Sequence, residues 1–235
     1  MKKIIAVVLF ICLIGIGIYV YINSSSKQGQ DSDIQLLFNR WDNGEVEDSE
    51  KMKIIEVLMD YVSKNPQASN EDLQAISNNI LVFVIEDFKM IQYIENPEFY
   101  GSSGRESYHF IVFKGESKMI DSKGSMRIDE IIKREDNLYF VFATDYRVSN
   151  ITGVQLFNIE IDDDTLNLNH IINKEGLVEK FVYDDVSNIL YYDNGHIYFK
   201  EITDNGNEVL ITAGDTDFLM RLDEDELYYI LPITP

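Results

Sequence analysis

The sequence predicts an α+β protein with three parts in order: an N-terminal transmembrane helix, a short α-helical hairpin and a mainly antiparallel β meander. Three observations carry that prediction. An uncharged apolar run occupies Ile4 to Ile22. Apolar residues recur at helical spacing between residues 47 and 88. From about residue 91 the period changes to two, with turn residues at regular short intervals. The meander is expected as a curved sheet, a sandwich or a partial propeller-like array. The chain then divides into an anchor and the start of a tether (1–26), a tether with a short helix (27–46), a helical hairpin (47–95) and an antiparallel β-rich domain (96–235).

The apolar run holds nineteen residues. As a helix rising about 1.5 Å per residue it would reach roughly 28 Å, close to the hydrocarbon thickness of a bilayer. Lys2 and Lys3 precede it, and a Ser- and Gln-rich stretch, Asn23 to Gln30, follows. Positive charge stays on the cytoplasmic side, so the expectation is a single-pass protein of the cell membrane. Its N-terminus would lie inside and its C-terminal domain outside. A cleaved signal peptide has a shorter apolar core, about 7–15 residues, and small residues at the cleavage site. Ile22-Asn23-Ser24 and Asn23-Ser24-Ser25 fit that site poorly.

Cys12 is the single cysteine and sits inside the run behind a large residue, Ile11, where a lipoprotein signal needs a small one. No cysteine follows it, which excludes disulfides and thiolate metal sites from the exported part. A cysteine-free exported domain behind a bare anchor suits a Gram-positive envelope. The 209 residues from 27 to 235 are enough for a sizeable core. The chain is 45% apolar and 12% aromatic, a folded composition.

Charge is the second informative property. The whole chain carries −21, and without Lys2 and Lys3 the remainder carries −23. Residues 97–147 are nearly balanced, with eight basic and nine acidic side chains. Residues 148–235 hold four basic and eighteen acidic, a net of −14. That field disfavours nucleic acid and anionic polymers and favours a basic protein partner or divalent cations. A solvated surface that keeps the domain soluble is the plainer reading of the same charge.

Along the chain, Ile34 to Trp41 suits a short amphipathic helix closed by Asp42-Asn43-Gly44. Acidic residues from Glu45 to Glu50 crowd a helix start, where they complement the macrodipole. Ile55, Leu58, Met59 and Val62 then mark an apolar face, and Pro66 stops the helix. Ser69 with Asp72 resembles a capping box that opens a second helix through Leu73, Ile76, Ile80, Leu81 and Val84. The β-branched run Ile80 to Ile85 leaves room for that helix to end early and pass into a strand.

Twelve strands follow: Tyr108–Lys114, Lys118–Asp121, Arg127–Lys133, Leu138–Tyr146, Val154–Ile161, Leu166–Ile172, Lys180–Asp184, Ile189–Asp193, His196–Ile202, Glu208–Thr212, Phe218–Asp223 and Leu227–Leu231. Asn194-Gly195 and Asn205-Gly206 are the strongest hairpin turns, because a type I′ turn needs positive φ at both central residues. A faint repeat, an acidic or Asn turn followed by apolar and aromatic residues, begins at Asp136, Asn188 and Asp225. Its cadence is similar to propeller blades, yet the length allows three at most, where a closed propeller has four or more.

No catalytic, cofactor or metal residue is assigned. His109, His170 and His196 share no short spacing, and Gly101-Ser102-Ser103-Gly104 is not a nucleophile elbow. The frames starting at Asp162 and Asp215 fail as EF-hand loops, with Leu166 and Leu219 at the fifth position. The candidate binding residues are acids at predicted turns: Asp162, Asp163, Asp164, Asp184, Asp185, Asp223, Glu224, Asp225 and Glu226. In a meander, alternate turns fall at one end of the sheet, so these clusters are expected to meet there. The favoured function is a membrane-anchored acidic module that recognises a protein at the outer membrane face. An immunity protein that captures a secreted toxin is one concrete form. The alternatives are an envelope enzyme acting on wall or sugar substrates through unassigned carboxylates, and an accessory subunit of a membrane complex.

Overall fold

The computed structural model describes residues 32–86, 88–95, 106–124, 126–148, 151–163, 165–175, 177–178, 180–193, 195–224 and 227–233. The expected anchor at 4–22 lies outside them. Among the described residues no helix is long and apolar enough to cross a membrane.

Helix α1 covers 32–42 and buries Ile34, Phe38 and Trp41, spaced four and three apart on one face. It ends at Asn43-Gly44, where Gly44 takes φ 72°. Helix α2 (Asp48–Lys64) starts at a capping box formed by Glu47 and Glu50 and buries Ile54, Ile55, Leu58, Tyr61 and Val62. Helix α3 (Asn70–Gln74) opens on the expected Ser69–Asp72 box, with Asp72 N–H donating to Ser69 Oγ at 3.1 Å. It lasts only five residues.

The helical hairpin expected over 47–95 is therefore half helix. Ile80–Val84 is strand β1, paired antiparallel with β2 (Phe88–Ile94). Five consecutive branched or aromatic residues, ILVFV, fit a pleated strand better than a helix. Pairing with β2 then satisfies their backbone groups.

Among the described residues fourteen strands form three antiparallel sheets in chain order. Sheet A runs β1-β2-β3-β4, with β3 at Ser107–Phe113 and β4 at Glu116–Gly124. Sheet B contains β5 (Met126–Glu135), β6 (Leu138–Val148), β7 (Ile151–Asp162), β8 (Thr165–His170), β9 (Phe181–Asp184) and β10 (Ile189–Tyr192). Its order is β5-β6-β7-β10-β9, and β8 also pairs with β7. Sheet C is the meander β11 (Ile197–Ile202), β12 (Glu208–Ala213), β13 (Thr216–Leu222) and β14 (Tyr228–Pro232).

The long strand β7 pairs with β6 along one edge and serves two partners along the other. Its second half pairs with β8, from Phe157↔His170 to Asp162↔Thr165. Its first half pairs with β10 through Val154↔Leu190 and Gly153↔Tyr191. The approach at Gly153 is close: a Cβ there would stand 2.3 Å from Ile189 Cγ2 and 2.8 Å from Tyr191 Cε1. Only glycine fits.

Each of the twelve expected strands from Tyr108 onward is present, displaced by at most a few residues. One expected hairpin is absent. β10 and β11 belong to different sheets, so Asn194-Gly195 does not join paired strands. β10 is held by β7 and β9 instead, and Gly195 lies in the passage into sheet C. The other hairpin forms but not through a type I′ turn: of the pair only Gly206 has positive φ (67°), its N–H donates to the Thr203 carbonyl at 2.7 Å, and the longer loop joins β11 and β12, which pair at Ile202↔Val209.

The layers stack as helices, sheet A, sheet B, sheet C. Period-two alternation sends Ile91, Tyr93, Tyr108 and Phe110 of sheet A toward Phe38, Trp41, Leu58 and Leu73 of the helices. Phe88, Met90 and Ile111 point the other way, onto Tyr139, Val141, Phe157 and Ile159 of sheet B. The opposite face of sheet B carries Phe140, Phe142, Val154 and Leu156, which meet Ile211, Met220, Tyr228 and Ile230 of sheet C. In the faint repeat, Tyr139 and Tyr228 each face the sheet before their own.

Candidate partner-binding surface

Antiparallel pairing collects many of the turns at one end of the stack. Lys133 of β5 pairs with Glu86 of the β1–β2 turn at 2.5 Å. Lys114 Nζ of the β3–β4 turn donates to the Asp163 carbonyl at 2.7 Å, and Ile161 N–H donates to the Asn137 carbonyl at 2.9 Å. Arg134 Nη1 donates to the Asn205 carbonyl at 3.2 Å and also to Asn207 Oδ1. Leu222 N–H reaches the Asn207 carbonyl at 3.0 Å, which sets the β13–β14 turn beside the β11–β12 turn.

This geometry sorts the nine candidate acids. Asp162 and Asp163 share that end with Asp223 and Glu224. Asp184 and Asp185 do not. Gln155 Nε2 donates to the Ser187 carbonyl at 2.8 Å, so the β9–β10 turn sits beside the middle of β7. At about 3.3 Å per residue, that is roughly 20 Å short of Asp162. Asp164, Asp225 and Glu226 lie outside the described residues. Several of these acids also build their own turns. Asp184 accepts from Val186 N–H at 3.0 Å and Ser187 Oγ at 2.5 Å, and Asp223 accepts from Leu227 N–H at 2.9 Å. Asp185 is paired with Lys174.

Between the β11–β12 and β13–β14 turns lies an open groove of about 840 Å³. Asp204, Glu208, Asp223 and Glu224 line it together with Arg134, Arg221 and Tyr229. Both cations are engaged within the chain. Arg221 Nη2 stands 2.7 Å from Glu208 Oε1, and the Arg134 guanidinium, already bonded to Asn205 and Asn207, lies 5.6 Å from the Phe140 ring centre. Four acids thus line the groove against two arginines, so it is net negative. Its floor is rigid. The Tyr228 hydroxyl donates to the Gly206 carbonyl, and burial pushes that phenol far above its ordinary pKa. Chemically the groove suits cationic side chains, with a tyrosine ring at its edge.

Of the histidines, His109 is buried in sheet A, where it meets the Gln92 side chain at 2.7 Å, and both reach the Met126 carbonyl. His170 ends β8 and His196 precedes β11, both exposed. Among the described residues no three His, Cys, Asp or Glu side chains are grouped to hold a metal ion.

A second polar cluster lies at the helical end of the stack, unforeseen from the sequence. Lys51 of α2 is 2% exposed, and its Nζ stands 2.7 Å from Asp48, 2.8 Å from Glu95 and 3.3 Å from Glu106. Trp41 Nε1–H donates to Glu95 Oε1 at 2.9 Å, and the Tyr108 hydroxyl donates to Glu106 at 3.2 Å. Glu95 is fully buried and its Oε2 has no hydrogen-bond partner among the described residues. Burial pushes its carboxyl above the ordinary range, against the pull of Lys51 and Trp41. Nearby, Asp42 accepts from Ser77 Oγ at 2.7 Å, Asn79 Nδ2 at 2.8 Å and Tyr93 OH at 2.8 Å. Both clusters fasten the helices to sheet A. The legible signal was Lys51 itself, three and four residues before Ile54 and Ile55 on one helical stripe.

Comparison with protein-family models, with curated proteins and with solved structures returns no match.

Proposed function

We propose that this chain is an acidic binding module, anchored in the cell membrane through residues 4–22, that recognises a basic protein partner at the outer membrane face. The observation that carries the reading is the groove between the β11–β12 and β13–β14 turns, where acids outnumber the arginines and both arginines are already engaged. Opposite charge in such a groove speeds encounter and selects partners, while exposed pairs add modest affinity. Capture of a secreted basic toxin is one form of this activity.

The test places a photo-crosslinking amino acid at Glu224 of the full-length protein in its own cells. The expected result is one discrete protein adduct that weakens when salt is raised before irradiation, because exposed charges are screened beyond about 8 Å at physiological ionic strength. Asp204→Lys with Asp223→Lys should remove the adduct and leave the melting temperature within a few degrees. No adduct, or one indifferent to salt and to the reversal, would sink the reading.

A further inference from the structure

Sheet C has a face that its own sequence does not account for. An antiparallel sheet with one wet face alternates apolar and polar residues, whereas strands covered on both faces read as continuous apolar runs. Strands β2 and β7 of sheets A and B are buried along most of their length, although Lys89, Gln92, Gln155 and Asn158 interrupt their apolar sequence. Val209-Leu210-Ile211 of β12, Phe218-Leu219-Met220 of β13 and Tyr228 to Leu231 of β14 are short runs of the second kind. Yet only one face of sheet C is packed in a core; Leu210, Leu219, Tyr229 and Leu231 on the other are half-buried. Val209, Ile211, Phe218, Met220, Tyr228 and Ile230 point into the core shared with sheet B. Tyr198, Leu210, Leu219, Tyr229 and Leu231 point outward, and none belongs to a core cluster.

The outward residues form rows across the strands. Leu210, Leu219 and Leu231 are register partners, and Glu208, Arg221 and Tyr229 form the next row. Two ion pairs lie on this face, Lys200 with Asp217 and Arg221 with Glu208, and Glu201, the register partner of Leu210, adds an exposed acid at the edge strand. Thr212 Oγ1 donates to Asp217 at 2.7 Å. The face is thus apolar in its middle and carries one acid beyond its two ion pairs. Glu208, Arg221 and Tyr229 also line the acidic groove, so face and groove are continuous.

We propose that this continuous surface receives an amphipathic helix of the partner, its apolar side on the Leu210–Leu219–Leu231 row and its Lys or Arg side chains in the acidic groove. The inference rests on the reading of the groove given above and names the shape of its partner. Size decides between occupants. Four strands about 4.8 Å apart and about six residues long make a face of roughly 19 by 20 Å. That is about half the area each partner buries in a standard interface, too little for two copies pressed together, each carrying −21. A helix about 10–12 Å wide and four turns long fits it. Helix α2 covers the far face of sheet A in the same way.

The test uses the full-length chain in nanodiscs of zwitterionic lipid, with empty nanodiscs as reference. The probes are two labelled synthetic peptides of equal composition and charge. In one, leucines fall at helical spacing opposite lysines; in the other the same residues are scrambled. Fluorescence anisotropy should show the amphipathic peptide binding at least tenfold tighter than the scrambled one. Leu219→Thr and Leu231→Thr, each with an unchanged melting profile, should remove that advantage, and Asp223→Lys with Glu224→Lys should weaken both peptides. Two peptides that bind equally, with the leucine variants silent and the charge reversal effective, would overturn the helix and keep the acidic groove. Binding indifferent to the charge reversal would overturn both. A chain that is dimeric without peptide and monomeric as Leu219→Thr would show that a second copy covers the face, and the inference would fail.

Discussion

At Gly206 one backbone angle carries a hairpin. Its φ of 67° lies in the left-handed region, a Cβ there would stand 3.3 Å from Phe140 Cδ2, and its carbonyl receives the Tyr228 hydroxyl. Gly206→Val combines β-branched strain at positive φ with crowding, and should cost about 2 kcal/mol or more. A urea midpoint that falls with an unchanged slope is the expected measurement, and a wild-type midpoint would refute the turn's role. Glu95 makes a prediction of opposite character. Burial raises its carboxyl above the ordinary 4.5, so the folded state holds that proton more tightly than the unfolded chain. Its contribution to stability is therefore complete below pH 4.5 and is lost as pH rises through the raised folded value. Lowering the pH from 7 toward 4.5 should stabilise the wild type relative to Glu95→Gln, since the difference cancels every other titrating group. Thermal melts across that window read it directly, and a difference constant with pH would show that Glu95 stays ionised.

Elements are joined here by a few polar bridges between layers. Thr152 of β7 donates its hydroxyl to the Ile197 carbonyl at 2.7 Å and accepts from Ile197 N–H at 2.9 Å. That one side chain ties sheet B to the first residue of sheet C. Thr152→Val keeps the volume and removes both bonds to the fully buried Ile197, so it should destabilise by about 1–3 kcal/mol. Chemical denaturation checks it, and a loss below about 0.5 kcal/mol would mean that the Ile197 backbone finds other partners. Element type was mostly legible at this scale. The acidic helix start from Glu45 to Glu50, the capping box at Ser69 and the alternation in twelve strands are local patterns. At Ile80–Val84 helical spacing and β-branching pointed two ways, and the strand allowed by the β-branched run is the one that forms, because β2 offers a partner.

For the whole molecule the membrane topology is the testable expectation. Protease added outside intact cells should digest residues 27–235, while the intact protein stays with membranes after a high-salt wash. A soluble form beginning near Ser25 would turn the anchor into a cleaved signal peptide. The candidate surface was half legible. That acids at alternate turns would gather at one end followed from meander geometry, and Asp162, Asp163, Asp223 and Glu224 do so. The recess of Asp184 and Asp185 was not legible, because it depends on β10 pairing with the middle of β7.

By itself the sequence determined what depends on near neighbours. The apolar run at 4–22, the strand periodicity, the Asn205-Gly206 turn and the acidic excess of residues 148–235 all follow from short-range spacing and composition. Only the tertiary structure decided which strands share a sheet and that the chain stacks four layers deep. It also decided that Lys51 is buried among three carboxylates and that one face of sheet C stays outside the cores. The physical reason is distance along the chain. Trp41 bonds Glu95 across 54 residues, and Arg134 bonds Asn207 across 73. Contacts of that reach are set by which packed layers exclude water together, a property of the whole chain that no local pattern encodes.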